Sequence, residues 1–334
     1  MDASRTRAFA DTDQLTAVVR AALGTARTIS TVARLRGGTK KGVYRLTLDD
    51  NSTVVAYVWS PEENFWPTAT RDADGAPRQR MLADAPDSVL FEAATAAYAR
   101  IGVRVPEVHL LDRSRQWYPA DIALVEDIPG ANLEQRLADD PEAAARTVAR
   151  LAEVLAVMHE HRGAYVGKVA VAGSESPPLP SALDVVRSWA LKDLAEAAGR
   201  DERIARERSR LTDLVHELAS AIEPRTSYGL IHGELGPDHV LVDAAGEPVL
   251  VDIEGTMFFD VEWEHVFLRI RFGEHYPLLR PDGLDERRLR LYQLAQHVSL
   301  VAGPLRLLDG DFPNREFMLG IATHHTERLL SFPS

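Results

Sequence analysis

Residues 228–265 read YGLIHGELGPDHVLVDAAGEPVLVDIEGTMFFDVEWEH, and the interpretation of the whole chain starts from this stretch. Two apolar runs, Val240–Val242 and Val249–Val251, flank a connection whose Gly and Pro are typical of a hairpin turn. Symmetric pairing of the runs about that turn places His239 opposite Asp252, with their Cβ atoms about 5 Å apart. Two side chains at that distance can share a cation, a proton or a phosphate-bound metal ion.

A third polar side chain, Glu234, lies just before the first run, in the glycine-flanked loop HGELGP. This loop and the strand end that carries Asp252 meet at the same rim of the predicted hairpin. A carboxylate directly after apolar strand residues is costly unless it binds a cation or a hydrogen-bond donor. The alternative for Asp252 is a capping role at the strand end. The stretch therefore predicts a functional site that contains two acids and a histidine.

The order HGELGPDHVLVD, VLVDIEG and FFDVEWEH resembles the catalytic segment of the aminoglycoside phosphotransferase and choline kinase-like family. That family has H-G-D-L-H-P-x-N, then D-W/F-E, and then G-D-P-x-x-D. Matched by position, Glu234 stands at the catalytic acid, His239 at the metal-binding Asn and Asp252 at the metal-binding Asp. Asp260 and Glu264 stand at the two downstream acids. The resemblance implies a small-molecule kinase with ATP and Mg²⁺ as cofactors.

The resemblance also implies an α+β fold, the bilobal fold of protein kinases. Residues 1–127 would form an antiparallel-sheet N-lobe that covers the nucleotide. Residues 128–334 would form a mainly helical C-lobe with the catalytic loop, the metal site and the substrate site. A chain of 334 residues is long enough for such a pair of lobes with hydrophobic cores.

The composition limits the kinds of partner that we expect for this protein. A net charge of -12 argues against a nucleic-acid-binding protein and allows a cationic small-molecule substrate. The chain has no cysteine, which excludes disulfides and thiolate metal sites and is typical of cytosolic proteins. No apolar run approaches the roughly 18 residues of a membrane span. We expect a cytoplasmic protein with a small-molecule substrate and no membrane partner, and the oligomeric state stays open.

Two strands are predicted at Ile29–Arg36 and Gly42–Leu48, joined by the sequence GGTKKG. A glycine-bearing turn between strands lets backbone N–H groups approach phosphates closely. The turn resembles the nucleotide loop of the family, with Gly37 and Gly38 as its glycines. A plain hairpin turn is the alternative.

The third predicted strand, Ser52–Trp59, lacks the phosphate-binding lysine that kinase-like folds carry there. The chain has four lysines, and two of them lie in the glycine-bearing turn. We therefore predict that Lys40 or Lys41 supplies the positive charge, with Arg45 as a second candidate. The alternative is that both lysines are ordinary solvated turn residues.

Two further nucleotide contacts follow from the resemblance. Glu92, on a helix predicted over Ser88–Gly102, stands where the family has the glutamate that pairs with the strand lysine. Its alternative role is that of a solvated first-turn residue favoured by the helix dipole. The sequence EDIPG resembles the hinge between the lobes, where the Glu126 carbonyl and the Ile128 N–H would bond the adenine edge.

Apolar spacings of three and four residues predict that the C-terminal part is helical. The predicted ranges are Asp140–His161, Ala182–Ile222 as one or two helices, Trp263–Phe272, Asp285–Val301 and Phe312–Leu330. In the family such helices cover the acceptor, and the candidate substrate contacts are then Glu262, Glu264, His265 and Arg269. The polar segment Pro61–Asp87 is a candidate lid.

His239 raises a question of ion chemistry, because magnesium prefers oxygen ligands to imidazole. Three arrangements stay open. His239 hydrogen-bonds a phosphate or a metal-bound water, Asp238 provides the second oxygen ligand, or the site takes the more nitrogen-tolerant Mn²⁺.

Three classes of function are consistent with these residues. The first is a phosphotransferase acting on a small molecule such as an aminoglycoside-like antibiotic or an amino alcohol. The second is a nucleotide-binding pseudokinase, because the strand lysine, the catalytic Asp and the metal-binding Asn are all replaced. The third is a metallohydrolase built from Asp238, His239, Asp252 and Glu254.

Overall fold

The computed structural model describes residues 7–36, 38–67, 85–171 and 180–333. The N-terminal part contains helix α1 (Thr12–Leu23), strands β1 (Ile29–Arg34), β2 (Gly42–Leu48) and β3 (Thr53–Trp59), helix α2 (Asp87–Arg100), and strands β4 (Val108–Asp112) and β5 (Asp121–Glu126). The five strands form one antiparallel sheet in the order β1-β2-β3-β5-β4.

Strand β3 lies in the middle of this sheet and is covered on both faces. Val54, Ala56 and Val58 pack in the cluster that contains the buried face of α1. Val55 and Tyr57 point the other way, into the larger core that continues through α2 into the helical part of the protein. Successive strand residues face opposite sides, so a strand that is apolar at nearly every position needs cover on both.

The C-terminal part is mainly helical. Its helices are α3 (Leu133–Asp139), α4 (Pro141–Glu160), α5 (Ala182–Ala198), α6 (Glu202–Ser220), α7 (Val261–Phe272), α8 (Glu286–Leu307) and α9 (Arg315–Leu330). The short strands are β6 (Arg162–Gly163), β7 (Gly167–Lys168), β8 (Tyr228–Ile231), β9 (Val240–Val242), β10 (Pro248–Leu250) and β11 (Met257–Phe259). Strands β9 and β10 form a hairpin, and the other four form a sheet in the order β6-β8-β11-β7.

The predicted α+β arrangement, a sheet followed by helices, is confirmed. Predicted elements differ from the observed ones mainly at their ends, and residues 182–222 form two helices. The division into lobes at residue 127 stays a prediction. Gly37 and residues 68–84 of the candidate lid lie outside the described residues. No helix among the described residues is both long and apolar enough to span a membrane.

The predicted register of the β9–β10 hairpin is wrong by one residue. The Val251 N–H donates to the His239 carbonyl at 3.0 Å, so His239 lies opposite Val251 instead of Asp252. The reason is the turn. The Asp243 N–H donates to the Glu247 carbonyl at 3.1 Å, and the Asp243 carboxylate accepts the Glu247 N–H at 2.9 Å. The turn therefore ends one residue earlier than symmetric pairing assumes.

A buried pair of histidines joins helices α8 and α9. His297 Nδ1 lies 2.9 Å from His325 Nδ1, so one ring donates a proton to the other. Burial lowers the pKa of His297 to about 4 and that of His325 to about 3, and the neighbouring His297 lowers the latter further. Both rings are therefore neutral near pH 7.

We expect the free energy of unfolding to fall as the pH drops from about 6.5 towards 4. An unfolded histidine binds its proton near pH 6.5, whereas folded His297 binds it only at about pH 4. The stability contributed by the neutral ring is therefore complete above the unfolded pKa and is lost on acidification. His297 alone should account for a loss on the order of 2 kcal/mol at pH 5 relative to pH 8. Urea unfolding at several pH values measures this slope.

Two variants separate the buried pair from other titrating groups. The variant His297→Gln should unfold with a weaker pH dependence than the wild type. The variant His216→Gln removes an exposed histidine on α6 and should keep the full pH dependence. Equal slopes for all three proteins would contradict the assignment.

Candidate active site

The loop after β8 carries Glu234, and a buried carboxylate on α7 holds that loop in place. Glu264 Oε1 accepts the backbone N–H groups of His232 and Gly233 at 2.7 and 3.0 Å. Its second oxygen lies 3.1 Å from His159 Nε2. Burial disfavours the charged form of Glu264, but His159 and the backbone donors outweigh burial and lower its pKa. The carboxylate is thus an ionised brace for the loop.

His232 is a second brace. It is fully buried, and its Nε2–H donates to the Val251 carbonyl at 2.9 Å. Gly233 has a φ of +97°, and a Cβ there would lie 3.1 Å from the Gly255 carbonyl oxygen. Only glycine combines that backbone with such close packing. These contacts fix the backbone that leads into Glu234, whose side chain is exposed.

Asp252 follows β10 in a left-handed backbone conformation, with a φ of 61°. Such a conformation is uncommon for a residue with a side chain and is often found at functional sites. The Asp252 side chain is 46% exposed, so it is accessible to a ligand.

Lys41, at the entrance to β2, reaches across to Asp252. Its Nζ lies 2.6 Å from Asp252 Oδ1 and 2.5 Å from Glu254 Oε1. It also lies 5.1 Å from the centroid of the Tyr57 ring. Tyr57 belongs to β3, the strand that lacks a lysine. A neighbouring strand therefore delivers an ammonium group to this region, whereas Lys40 is exposed.

The ion pairs shift the pKa of each partner in a consistent direction. Burial disfavours the charged form of Lys41, but Asp252 and Glu254 outweigh it and raise the pKa of the ammonium. Lys41 is the main cause of the lowered pKa of Asp252. Burial raises the pKa of Glu254 despite the same lysine. Asp252 is therefore the more strongly ionised carboxylate of the two.

His239 connects the Glu234 loop to Asp252. Its Nδ1 donates to the Glu234 carbonyl at 2.8 Å, which leaves Nε2 with the lone pair in the neutral ring. That Nε2 lies 3.7 Å from Asp238 Oδ2 and 3.8 Å from Asp252 Oδ2. Asp238 is also bound by Arg271 at 2.8 Å. The predicted grouping of His239, Asp238 and Asp252 is present, although the register that suggested it is not.

These residues fit a magnesium ion that arrives with phosphates. No group of three or more His, Asp or Glu side chains in the described part of the chain forms a protein-only metal site. Magnesium does not need one, because one or two carboxylates, phosphate oxygens and water usually complete its shell. Among the described residues, Glu254 Oε2 is a buried oxygen without a hydrogen-bond partner. An ion or its bound water would satisfy that oxygen.

The other predicted nucleotide contacts differ in whether their polar groups are available to a nucleotide. A Cβ on Gly38 would lie 2.4 Å from the Lys41 carbonyl oxygen, so the turn requires glycine there. Ile128 N–H makes no hydrogen bond within the described residues and is open to an acceptor. The Glu126 side chain binds Arg104 at 2.6 Å, which leaves only its backbone for adenine.

One predicted cation, Arg45, and one predicted acid, Glu92, pair with residues other than the predicted ones. Arg45 pairs with Asp127 at 2.7 Å. Glu92 is exposed and pairs with Arg113 at 2.8 Å, so its contacts do not support the lysine-pairing role.

The candidate substrate contacts on α7 are mostly buried. Glu262 binds Arg225 at 2.6 and 2.8 Å, and Glu264 braces the catalytic loop as described. His265 is fully buried, and burial lowers its pKa to about 4. None of these three side chains is free to contact an acceptor in this structure. Arg269 is exposed, and its predicted contact with substrate stays a prediction.

Sequence reasoning missed Lys168, on β7. Its Nζ donates to the Gly255 carbonyl at 2.7 Å. Burial lowers its pKa to about 8, and Glu234 is the strongest of the charges that oppose this shift. A half-buried lysine whose charge interacts with the predicted catalytic acid is a candidate phosphate ligand. The only signal for Lys168 in the sequence was that lysine is rare, with four in the whole chain.

The chain matches one family model and is similar to several solved structures. The model of a family described as the phosphotransferase enzyme family matches residues 31–299. A comparison with proteins of curated function gave no match. Similar solved structures include choline kinase LicA from Streptococcus pneumoniae, which is 12% identical with a TM-score of 0.61 over 96% of this chain and 99% of that one.

Two aminoglycoside phosphotransferases are also similar. A mutant of aminoglycoside 2'-phosphotransferase-IIIa in complex with GDP is 17% identical, with a TM-score of 0.61 over 96% of this chain and 99% of that one. A thermostable mutant of APH(4)-Ia in a ternary complex with AMP-PNP and hygromycin B is 16% identical, with a TM-score of 0.60 over 94% and 98%. At such identities the likeness establishes the bilobal fold of these kinases.

Proposed function

The chain belongs to the phosphotransferase enzyme family, a family of small-molecule kinases, and on that premise we propose that it transfers the γ-phosphoryl group of ATP to a hydroxyl of a small molecule. One observation carries the proposal. His239 bonds the Glu234 carbonyl and lies 3.8 Å from Asp252, so the acid loop and the ion-binding carboxylate share one site. Phosphoryl transfer needs that proximity, because the acceptor and the metal-bound phosphate must meet in line.

Glu234 orients the acceptor hydroxyl and accepts its proton. Its side chain is exposed while the backbone around it is braced. Glutamate is one methylene longer than the aspartate of the family, a displacement of about 1 Å that would be costly in an unadapted loop. Gly236, where the family motif has a histidine, gives the loop a backbone that can accommodate the longer side chain.

Three groups would bind the nucleotide phosphates. Asp252 would hold the magnesium ion, which neutralises charge on the β- and γ-phosphates when bound. Lys41 would release one of its carboxylate partners and bind a phosphate oxygen instead, because its Nζ already lies beside Asp252. Lys168 would bind on the side of Glu234. The bound nucleotides of the similar structures, GDP and AMP-PNP, support a nucleotide in this position.

The acceptor is proposed as a class. The similar structures are named as a choline kinase and aminoglycoside phosphotransferases. Cationic hydroxyl compounds of either kind suit a chain with a net charge of -12. An amino alcohol or an aminoglycoside-like compound is therefore the first choice.

A panel of amino alcohols, aminoglycosides and neutral sugars, scored by ADP release, tests the proposal. We expect at least one cationic compound to raise ADP release above the ATP-only background, and to do so only with a divalent ion present. A panel without any active compound, together with no thermal stabilisation by ATP and magnesium, would contradict the proposed activity.

Removing the Lys41 ammonium should weaken ATP binding. A hydrogen bond to a charged group contributes about 1.5–3 kcal/mol, so Lys41→Ala should raise the Kd for ATP by roughly tenfold or more. Lys40→Ala should change it little, because that side chain is exposed. Calorimetric titration of both variants and of the double variant measures the effect. Unchanged affinity in the double variant would rule out a phosphate-binding role for either lysine.

The two other classes of function have less support. A pseudokinase would bind ATP without consuming it, and the ionised Asp252 beside Lys41 offers no reason for lost turnover. A metallohydrolase would need a protein-only metal site, and the described residues form none.

A further inference from the structure

A large cavity lies between α7, α8, α9 and the turn of helix that follows α7. Its volume is about 1140 Å³. Val266, Arg269 and Ile270 of α7 line it. Residues in a helix are about 100° apart around the axis, so these three lie on the face opposite Glu264 and Arg271, which contact the catalytic loop. Helix α7 therefore separates the cavity from the candidate active site.

The cavity is positively charged, unlike the chain as a whole. Its lining contains the arginines Arg269, Arg280, Arg290 and Arg328, against the acids Asp282 and Glu286. Glu286 is already paired with Arg280, and Arg290 donates to the Pro333 carbonyl at 3.1 Å. An excess of arginine is notable in a protein whose net charge is -12.

Two of these arginines have no partner. Arg269 on α7 and Arg328 on α9 make no hydrogen bond or ion pair within the described part of the chain. Both line the cavity, Arg269 from α7 and Arg328 from α9, and so does His297. After burial, the positive charges of both arginines help to lower the pKa of His297. Arginine stays charged at any physiological pH and matches phosphate and carboxylate geometry.

Part of the remaining lining is apolar, beside Gln293, Ser331 and the histidines His297, His324 and His325. Val266, Ile270, Leu289 and Phe332 contribute to the wall. Small-molecule sites are typically concave and apolar, with a few polar groups that fix the orientation of the ligand. The combination fits a ligand that has one anionic group and an organic body.

We propose that this cavity binds a small organic anion, whose phosphate or carboxylate is held by Arg269 and Arg328 and whose body packs against the apolar wall. The site is separate from the phosphoryl-transfer site and does not depend on the function proposed for it. Its ligand differs in charge from the cationic acceptor expected at the active site, so the two ligands would not compete.

Calorimetric titration of the full chain with phenyl phosphate and with benzoate tests the proposal, with benzyl alcohol as the neutral counterpart. At least one of the anions should bind saturably, benzyl alcohol should not, and the stronger anion identifies the preferred group. The double variant Arg269→Ala/Arg328→Ala should weaken that binding at least about tenfold, which is about 1.4 kcal/mol.

Two controls locate the binding. Arg146→Ala removes an exposed arginine of α4 and should leave the affinity unchanged. Lys41→Ala should also keep the affinity, because the anion does not occupy the nucleotide site. Absence of saturable binding, equal affinity in the double arginine variant, or a loss of binding in the Lys41 variant would each overturn the proposal.

Discussion

Replacing Glu234 by glutamine is expected to lower kcat for phosphoryl transfer by roughly a hundredfold to ten-thousandfold, the range of a lost general base. Glutamine keeps the size and the hydrogen-bonding capacity of the side chain but cannot accept the proton of the acceptor hydroxyl. The affinity for ATP should stay unchanged, because the Glu234 side chain is exposed and is not among the groups proposed to bind the phosphates. Steady-state ADP release and an ATP titration measure the two quantities separately.

Matched variants make this result specific. Glu217→Gln changes an exposed residue of α6 and should keep full activity. Glu234→Asp keeps a carboxylate and should be more active than Glu234→Gln, even though its side chain is shorter. Equal ATP consumption by the wild type and Glu234→Gln would indicate a pseudokinase with background turnover only.

Replacing Asp252 by asparagine is expected to lower the rate by a similar amount. The change removes the ionised carboxylate that Lys41 stabilises and that would hold magnesium. A metal ion contributes several kcal/mol to stabilising transition-state charge, and a loss of about 4 kcal/mol lowers the rate roughly a thousandfold. The loss should appear in kcat and in the dependence of ATP binding on magnesium.

The readout that separates ion binding from folding is the effect of magnesium on ATP affinity. Magnesium should strengthen ATP binding in the wild type and in Asp213→Asn, an exposed control on α6. It should have little effect in Asp252→Asn. If magnesium strengthens ATP binding equally in Asp252→Asn, the ion is held elsewhere.

The regular elements and the acid segment could be predicted because their signals are local. The apolar spacing of α4, and the unbroken apolar run of β3, are read within a single window of the chain. The acids Glu234 and Asp252 were found for the same reason, because both lie in one contiguous motif. The one local inference that was wrong is the hairpin register, where the hydrogen bonds of Asp243 shorten the turn by one residue.

Long-range packing decided the rest of the candidate site. Lys41 and Asp252 are 211 positions apart, and the sequence alone could not choose between Lys40 and Lys41. The burial of Glu264 turned a candidate substrate contact into a brace of the catalytic loop. Lys168 joined the site without any motif around it.

The sequence by itself determined most regular elements, the position of the acid segment and the absence of a strand lysine, because periodicity and motif spacing are properties of neighbouring residues. The resemblance of that segment to a known family implied the α+β class. Only the tertiary structure decided which ammonium replaces that lysine, which acids are buried, and that Arg269 and Arg328 share a cavity. The physical reason is that burial and the fields of distant charges arise only when segments far apart in the chain pack together.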